Sequence, residues 1–273
     1  ICVLANKLWG EKKGYLIDGQ GNYGSLLTGM PHAATRYIEC RLTELARKEI
    51  FNKKTTTYVP NYDGRKEEPV YLPAKIPLLL MLGADGIAVG LSTAILPHNF
   101  IELLEAEIAI IQKKPYEIYP DFQLGGIMDV TDYQDGLGKV KVRARIEKED
   151  KTLVITELPW GETTDSISAS IEDALKKKKV QVRKIHDLTS DKVRIELELQ
   201  PGANQDKTIT ALYAFTTCEK SLSSRPIVLA GGRPKLLTVR QILEKNVERL
   251  TELTKRELEI RLGELDDLFH ART

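Results

Sequence analysis

The chain of 273 residues carries 40 lysine and arginine residues against 39 aspartate and glutamate residues, a net charge of +1. Any affinity for nucleic acid must therefore come from a local patch of charge. No stretch is apolar for long enough to cross a bilayer, no secretory signal is visible, and the 3 cysteines lack CxxC spacing. We therefore expect a cytoplasmic protein with neither a disulfide framework nor a zinc site.

Apolar residues at positions 1, 4, 5 and 8 predict an amphipathic N-terminal helix. Because the chain opens inside this pattern and not at a methionine, we expect a piece of a longer polypeptide. The glycine-rich segment at residues 17–25 follows after a break. It lacks the spacing of a nucleotide-binding loop and is interpreted as a tight turn.

The next segment predicts a helix that begins near Pro31, a residue suited to the first helical turn. Apolar residues recur at helical spacing at positions 38, 42, 45 and 46. Tyr37 falls on a different face together with Arg41, so Tyr37 should be free to meet a ligand. Ile38 should face the core.

Arg36 and Tyr37 bring complementary chemistry to adjacent positions. A phenol can act as a nucleophile towards a phosphodiester, and a guanidinium can neutralise the charge that builds on the phosphate. Adjacent helical side chains diverge by about 100°, which lets both approach one phosphate. Because a free phenol titrates near pH about 10, attack also requires a proton acceptor, a metal ion or nearby positive charge.

Residues 60–77 are punctuated by proline and predict an irregular segment. The apolar run at residues 76–82 leads to three glycines, at positions 83, 86 and 90, whose spacing indicates closely packed backbone. His98 is interpreted as a hydrogen-bonding loop residue and not as a base. A helix with apolar residues 101, 104 and 108 on one side should follow.

Alternating apolar and charged residues at 140–146 predict one half-buried strand, and residues 153–155 predict its return. A helix should occupy residues 164–177, followed by strands at residues 180–185 and 193–199. This ββαββ order predicts an α+β fold, with helices on one face of a mostly antiparallel sheet.

Three features are predicted towards the end of the chain. A helix should cover residues 206–215, and Gly231-Gly232 should form the turn of a hairpin. Thr238 and Gln241 form a capping box at the start of a helix that contains no proline up to residue 273. Apolar residues step by three or four along this helix, which is typical of a coiled-coil arm.

Five segments in this order resemble the DNA-breaking A subunit of bacterial type IIA topoisomerases. They are residues 17–25 (IDGQGNYGS), 33–42 (AATRYIECRL), 59–64 (VPNYDG), 72–77 (LPAKIP) and 86–99 (GIAVGLSTAILPHN). The resemblance covers nearly all of the chain. Within this family, residues 119–122 and 212–215 resemble the topoisomerase IV A subunit. The alternative is the gyrase A subunit.

The resemblance implies three parts. Residues 1–75 would be the C-terminal part of a winged-helix domain that carries the tyrosine. Residues 76–236 would be a tower, or shoulder, domain. Residues 237–273 would begin the coiled-coil arm.

The resemblance also implies roles for single residues. Tyr37 would attack a backbone phosphate, leaving a 5′-phosphotyrosyl link and a free 3′-hydroxyl, and Arg36 would stabilise the transition state. Ile95 would be a wedge pushed between base pairs, although its loop departs from the family's usual Ile-Pro-Pro-His and an isolated isoleucine is more often a core residue. Arg41 and Lys75 would contact DNA phosphates.

No carboxylate cluster for a metal ion is visible in the sequence. The resemblance implies that Mg²⁺ and ATP both belong to a partner B subunit. Two A and two B subunits would form an A₂B₂ assembly on double-stranded DNA, associated with the bacterial nucleoid. This assembly would cleave both strands transiently so that another segment can pass. The alternative is a DNA-binding or scaffolding protein without chemistry of its own.

Overall fold

The structure, a computed structural model, describes residues 15–271, so the helix predicted at positions 1–8 lies outside the described residues. Within the described range the chain forms a mixed α/β fold in which every strand pair is antiparallel. It begins with two small sheets and one short helix. Their elements are β1 (Ile17–Gln20), a 3-10 turn (Thr35–Tyr37), β2 (Glu39–Leu42), α1 (Glu44–Glu49), β3 (Tyr58–Pro60) and β4 (Glu67–Pro69).

The helix predicted from Pro31 is wrong in its first half. Residues 39–42 form β2, which pairs with β1, and only the part after Thr43 is helical. Helix α1 starts there because Thr43 Oγ1 accepts a hydrogen bond from the Ala46 amide at 3.1 Å. The periodic apolar positions therefore span a strand and a helix, and Ile38 is half buried just before the strand.

Two helices and a hairpin follow, and then the first two strands of a three-stranded sheet, whose third strand, Glu219–Ser223, comes later in the chain and pairs with the strand Lys139–Arg143. The elements are α2 (Leu78–Leu82), β5 (Ala84–Ala88), β6 (Leu91–Ile95), α3 (Phe100–Ile111), β7 (Ile127–Asp129) and β8 (Lys139–Arg143). The four-stranded sheet has the order β11-β12-β10-β9. It comprises β9 (Arg145–Glu149), β10 (Thr152–Glu157), α4 (Thr164–Lys176), β11 (Val182–Asp187) and β12 (Ile195–Leu199).

The remaining elements join the two sheets and extend from them. They are α5 (Gln205–Phe215), β13 (Glu219–Ser223), the hairpin strands β14 (Ile227–Ala230) and β15 (Arg233–Leu236), and the long helix α6 (Val239–His270). The predicted helix at 206–215, the Gly231-Gly232 turn and the helix after Thr238 are confirmed. Thr238 and Gln241 form the expected capping box.

The ββαββ order is confirmed as β9-β10-α4-β11-β12, but the single strand predicted at 140–146 is wrong. The chain crosses from one sheet to the other at Ala144, whose amide donates to the Cys218 carbonyl at 2.8 Å. Val142 therefore packs in the core of the three-stranded sheet, and Ala144 packs in the core of the four-stranded sheet. Alternation alone cannot reveal the change, because every second residue from Val140 to Ile146 is buried or half buried on both sides of it.

Helix α3 buries a different side from the one predicted. Leu103 and Ala106 are buried in the core that also contains Leu243 of α6, whereas Ile101 and Ile108 are exposed. Helix α6 packs along α3 and selects this side.

Glu107 is buried at this contact between α3 and α6. Its Oε1 accepts a hydrogen bond from Asn246 Nδ2 at 2.7 Å, and the same amide lies 3.3 Å from the Lys75 carbonyl. Burial raises the pKa of Glu107 from 4.5 to about 7, although the Asn246 hydrogen bond opposes the rise. The folded chain therefore binds this proton more tightly than the unfolded chain, and its loss weakens the fold as pH rises through about 4.5 to 7.

Glu107→Gln should raise the free energy of unfolding by about 1–3 kcal/mol near pH ~8, because the glutamine still accepts from Asn246 but cannot ionise. The gain should largely vanish near pH ~5. Urea unfolding at both pH values measures it. Glu105→Gln, an exposed position on the same helix, is the control and should change little. An equal effect of Glu107→Gln at both pH values would contradict the buried-charge explanation.

The Arg36–Tyr37 pair and a candidate nucleic-acid interface

The glycine-rich segment lies directly against the backbone of Tyr37. Gly21 has a φ of +109°, and a Cβ at this position would lie 2.8 Å from the Tyr37 carbonyl oxygen. The Ala33 amide donates to the Asn22 carbonyl at 3.0 Å. Only glycine can adopt the positive φ of Gly21 and also lie this close to the Tyr37 carbonyl oxygen.

Tyr23 lies beneath the two strands that flank the Tyr37 turn, β1 and β2. Its side chain is buried, and its hydroxyl donates to the Glu39 carbonyl on β2. The ring covers Gly19 on β1, where a Cβ would approach a ring carbon at 2.7 Å. The prediction of a tight turn is only partly right, because Gly19 lies in strand β1 and the chain leaves the strand only after Gln20. What the segment supports is a 3-10 turn and a strand, not a helix.

Arg36 and Tyr37 lie together on the surface of this turn. The Tyr37 amide donates to the Ala34 carbonyl at 2.9 Å, and the Tyr37 side chain is 66% exposed. The Arg36 Cζ lies 4.8 Å from the centroid of the Tyr37 ring. The stacked guanidinium adds positive charge beside the phenol, and neither side chain is held in the core.

Arg41 lies on β2 directly opposite Asp18 on β1. Its Nε and Nη2 lie 2.8 Å and 2.7 Å from Asp18 Oδ2, and its side chain is 79% exposed. An exposed pair of this kind is worth little, about 0–1 kcal/mol. Arg41 therefore remains able to exchange Asp18 for another anion.

Lys75 does not offer a free charge, which counts against the expectation that it contacts DNA phosphates. Its Nζ lies 2.7 Å from Glu49 of α1 and 3.0 Å from Glu257 of α6, and its side chain is only 15% exposed. Burial lowers the pKa of Lys75, but hydrogen bonds to the two carboxylates outweigh burial and raise it. Lys75 thus ties α1 to α6.

Ile95 lies at the base of the β5–β6 hairpin and is 5% exposed, which counts against its interpretation as a wedge. It packs in the core with Leu80 and Leu96 and pairs with Ala84 across the hairpin. A side chain held in this way must leave its neighbours before it can enter between base pairs. The structure of the chain without DNA therefore favours the core interpretation that the sequence left open.

The exposed apolar residues of the same segment are Ile87 and Val89 at the tip of the hairpin. Ile87 is 92% exposed and Val89 is fully exposed. The close backbone packing predicted from the three glycines is confirmed at Gly83, where a Cβ would lie 2.6 Å from the Ile95 carbonyl oxygen. It is wrong at Gly86 and Gly90, where a Cβ would meet no atom within 4 Å. The feature of the sequence that could have identified this exposed tip is the pair of large apolar residues, Ile87 and Val89, between Gly86 and Gly90.

His98 is buried and makes structural hydrogen bonds. Its Nε2 lies 3.0 Å from the Tyr133 hydroxyl and its Nδ1 lies 3.3 Å from the Leu80 carbonyl. Burial lowers the pKa of His98 to about 4, so the ring is neutral near physiological pH. Its interpretation as a hydrogen-bonding residue is confirmed.

Residues 15–271 contain no group of three or more histidine, cysteine, aspartate or glutamate side chains that could hold a metal ion. The described donor set therefore does not fit a resident Mg²⁺. None of the helices in this range is both long and apolar enough to cross a bilayer.

The exposed turn thus presents a phenol, which can act as a nucleophile, and a guanidinium, which can bind an anion, side by side. Over residues 1–273 the chain matches the family that comprises the A subunits of DNA gyrase and topoisomerase IV. The chain therefore belongs to this family, and the resemblance to type IIA topoisomerase A subunits is confirmed.

Individual relatives belong to the same family. Over 260 residues the chain is 45% identical to the DNA topoisomerase 4 A subunit of Borreliella burgdorferi, covering 94% of this chain and 42% of the relative. It is 34% identical over 278 residues to the DNA gyrase A subunit of Chlamydia pneumoniae (93% and 33% covered). The identity to the DNA topoisomerase 4 A subunit of Staphylococcus epidermidis is 35% over 272 residues (89% and 34% covered). The chain thus spans about a third to two fifths of these curated relatives, and the identity to the Borreliella protein supports the topoisomerase IV branch.

Gly21→Ala should lower the free energy of unfolding by about 2–4 kcal/mol, because the methyl group meets the Tyr37 carbonyl in addition to the strained φ. Gly64→Ala is the matched control. Gly64 also has a positive φ, +67°, but no atom lies within 4 Å of its Cβ position. This control should cost only about 1 kcal/mol. Equal losses in chemical denaturation would show that the contact with Tyr37 does not constrain the turn.

Proposed function

We propose that this chain is the tyrosine-bearing part of a topoisomerase IV A subunit, which cleaves both strands of one DNA segment transiently so that another segment can pass. The observation that carries the proposal is the exposed Tyr37 ring under the Arg36 guanidinium, on a turn held by Gly21. Membership of the gyrase/topoisomerase IV A family supports it. The relatives named as gyrase A subunits keep the gyrase alternative open.

In the proposed reaction the Tyr37 hydroxyl oxygen attacks a backbone phosphorus. A bond forms between this oxygen and phosphorus, and the bond to the 3′-oxygen breaks. The phenolic proton passes to a general base, and the 3′-oxygen leaves as a hydroxyl after taking up a proton. Attack of this hydroxyl on the 5′-phosphotyrosyl ester reverses every step, so the strand is resealed without net consumption of bond energy.

Arg36 would neutralise the non-bridging oxygens while charge concentrates on them. Its guanidinium already lies over the Tyr37 ring, which would limit reorganisation during the proposed reaction. Removing a contact of this kind typically costs on the order of 10²–10³ in rate. Arg41 would exchange its ion pair with Asp18 for a contact with a neighbouring phosphate.

The β5–β6 hairpin carries three candidates for the residue that bends DNA. Ile95 is the one that the family resemblance implies, but it is buried at the base of the hairpin. Ile87 and Val89 project into solvent from the two-stranded base. An apolar side chain inserted between base pairs costs a few kcal/mol of stacking and bends the duplex. Because insertion requires an accessible side chain, we assign the wedge to the tip, led by Ile87.

The proposed domains are the winged-helix part at residues 1–75, the tower at 76–236 and the coiled-coil arm at 237–273. In support of an arm, the first turns of α6 pack in the core of the three-stranded sheet, whereas Leu258 and Leu262 further along are exposed. Such a stripe of leucines suits a second helix alongside.

Mg²⁺ and ATP would be held by a partner B subunit, with two A and two B subunits acting on double-stranded DNA at the bacterial nucleoid. The relatives are named as A subunits, which supports a partner subunit. A two-fold assembly would supply one tyrosine for each strand.

Tyr37→Phe should abolish the covalent protein–DNA adduct, because the variant keeps the ring and loses the attacking oxygen. The full-length A subunit is mixed with its B subunit, Mg²⁺ and supercoiled plasmid, and quenched with detergent. Adducts are then counted on the DNA ends. Tyr62→Phe, at the exposed turn between β3 and β4, is the control and should keep the adduct. A normal adduct yield in Tyr37→Phe that still binds DNA would assign the chemistry elsewhere.

Ile87→Ala should reduce DNA bending sharply, because the inserted side chain is lost, while the free energy of unfolding stays within about 0.5 kcal/mol of the parent. Ile95→Ala should do the reverse and cost about 2–5 kcal/mol of stability through a core cavity. Energy transfer between dyes on the two DNA ends measures bending, and urea unfolding measures stability. Bending that is normal in Ile87→Ala but lost in a folded Ile95→Ala variant would return the wedge role to Ile95.

A further inference from the structure

The loop between the glycine-rich segment and the Tyr37 turn, residues 25–30, is closed on itself. The Ser25 amide donates to the Met30 carbonyl at 3.0 Å, and the Gly29 amide donates to the Ser25 carbonyl at 3.0 Å. These bonds join the two ends of the 25–30 loop. A displacement of the loop is therefore passed on to the segments on either side of it.

The segment after the loop leads directly to the Tyr37 turn. Six residues separate Met30 from Tyr37. Among them, the Ala33 amide donates to the Asn22 carbonyl at 3.0 Å, which ties this stretch back to the glycine-rich segment. The Tyr37 amide then donates to the Ala34 carbonyl at 2.9 Å. The place of the 25–30 loop thus helps to determine where the Tyr37 turn lies.

Helix α4 holds the outer part of the 25–30 loop. The Thr164 amide, in the first turn of α4, donates to the Leu27 carbonyl at 2.9 Å. Amides in the first turn have no partner within their own helix, so the loop supplies one. The Leu27 side chain is half buried and packs against the core of the four-stranded sheet. Leu27 therefore makes both a polar and an apolar contact with an element that is distant in sequence.

Gly29 lies against the residue that caps α4. It has a φ of +75°, and a Cβ at this position would lie 3.1 Å from Thr163 Cγ2. Thr163 is not free to move away, because its Oγ1 accepts from the Ser166 amide at 3.2 Å and its own amide donates to Ser166 Oγ at 2.9 Å. The loop and the helix cap therefore fit closely.

The start of α4 is fixed in turn by a buried carboxylate. Glu162 is buried, its Oε1 lies 2.8 Å from Lys220 Nζ on β13, and its Oε2 accepts from the Ser166 hydroxyl at 2.6 Å. Burial raises the pKa of Glu162, but the hydrogen bonds from Lys220 and Ser166 outweigh burial and hold the pKa below its usual value. The surface that receives the 25–30 loop is thus attached to both large sheets.

We propose that Leu27 and Gly29 are positioning residues for Tyr37, which dock the 25–30 loop on the start of α4 and so set where the attacking oxygen lies. The inference deepens the proposed function and rests on it, because it takes Tyr37 to be the nucleophile. A displacement of about 1 Å at a reacting group can cost on the order of 10²-fold in rate. Loosening the loop should therefore slow cleavage without weakening DNA binding.

The first test uses the complex of the full-length A and B subunits with Mg²⁺ and a saturating linear duplex. Leu27→Ala should lower the rate constant of Tyr37 adduct formation by about 10- to 100-fold, because the loop loses its apolar contact with the core. The dissociation constant of the duplex should stay at the parent value. Leu27→Met, which conserves the side-chain volume, should restore most of the rate.

The matched control is Leu175→Ala. Leu175 is also half buried against the core of the four-stranded sheet, but it lies at the other end of α4. It is roughly 16 Å from Thr164 along the helix. This variant should lose stability in urea unfolding as Leu27→Ala does, yet keep the parent rate constant. Equal losses of rate in the two alanine variants would assign the effect to general destabilisation and overturn the inference.

A second test separates the contact at Gly29 from its backbone conformation. Gly29→Ala should lower the rate constant by about tenfold, because the new methyl group meets Thr163 and displaces the loop. Thr163→Ser removes only the Cγ2 methyl group and keeps the capping oxygen, so the double variant should recover most of the lost rate. Gly202→Ala is the control, since Gly202 has a φ of +80° and no atom within 4 Å of its Cβ position. It should keep the parent rate.

The outcomes separate the positioning role from the proposed function. If the parent complex forms the Tyr37 adduct and Leu27→Ala forms it at the parent rate, the inference alone is overturned. A loss in Gly29→Ala that Thr163→Ser does not relieve would overturn the assignment of Gly29. A parent complex that forms no adduct at Tyr37 contradicts the proposed function itself, together with the inference that rests on it.

Discussion

The close approach of Gly21 to the Tyr37 carbonyl positions the turn on which the proposed cleavage chemistry depends. It lets the glycine-rich turn lie against the 3-10 turn, and the buried Tyr23 fastens that turn to β2. A phenol that is exposed but carried on a buttressed backbone loses little entropy when it meets a phosphate. Arg36 needs no separate support, because it stacks on the ring beside it.

A second set of contacts connects the tyrosine region to the long helix. Glu257 of α6 accepts from Lys75 at 3.0 Å and from Asn52 at 2.7 Å, and Lys54 pairs with Glu264 about two turns further along. The contacts of Asn52 and Lys54 join segments that lie far apart in sequence. Movement of α6 is therefore coupled to the segment that follows Tyr37.

The sequence predicted much of the fold where local signals agree. The capping box at Thr238, the Gly231-Gly232 turn and the ββαββ order all depend on short-range geometry, and the structure contains each of them. The predictions were wrong where one spacing of apolar residues is compatible with two different structures. The apolar spacing after Pro31 suits a helix, but pairing with β1 makes residues 39–42 a strand. The alternation through Ala144 likewise conceals a change of sheet.

The sequence by itself determined the family. It also singled out the Arg36–Tyr37 pair and the glycine-rich segment before it, because residue type and order are enough to recognise these features. Only the tertiary structure decided which groups are available in the folded chain. Lys75 and Ile95 look like ligands in a motif, but one is neutralised by two carboxylates and the other is enclosed in a core. The exposure of Ile87 becomes visible only after folding, because burial depends on residues distant in sequence.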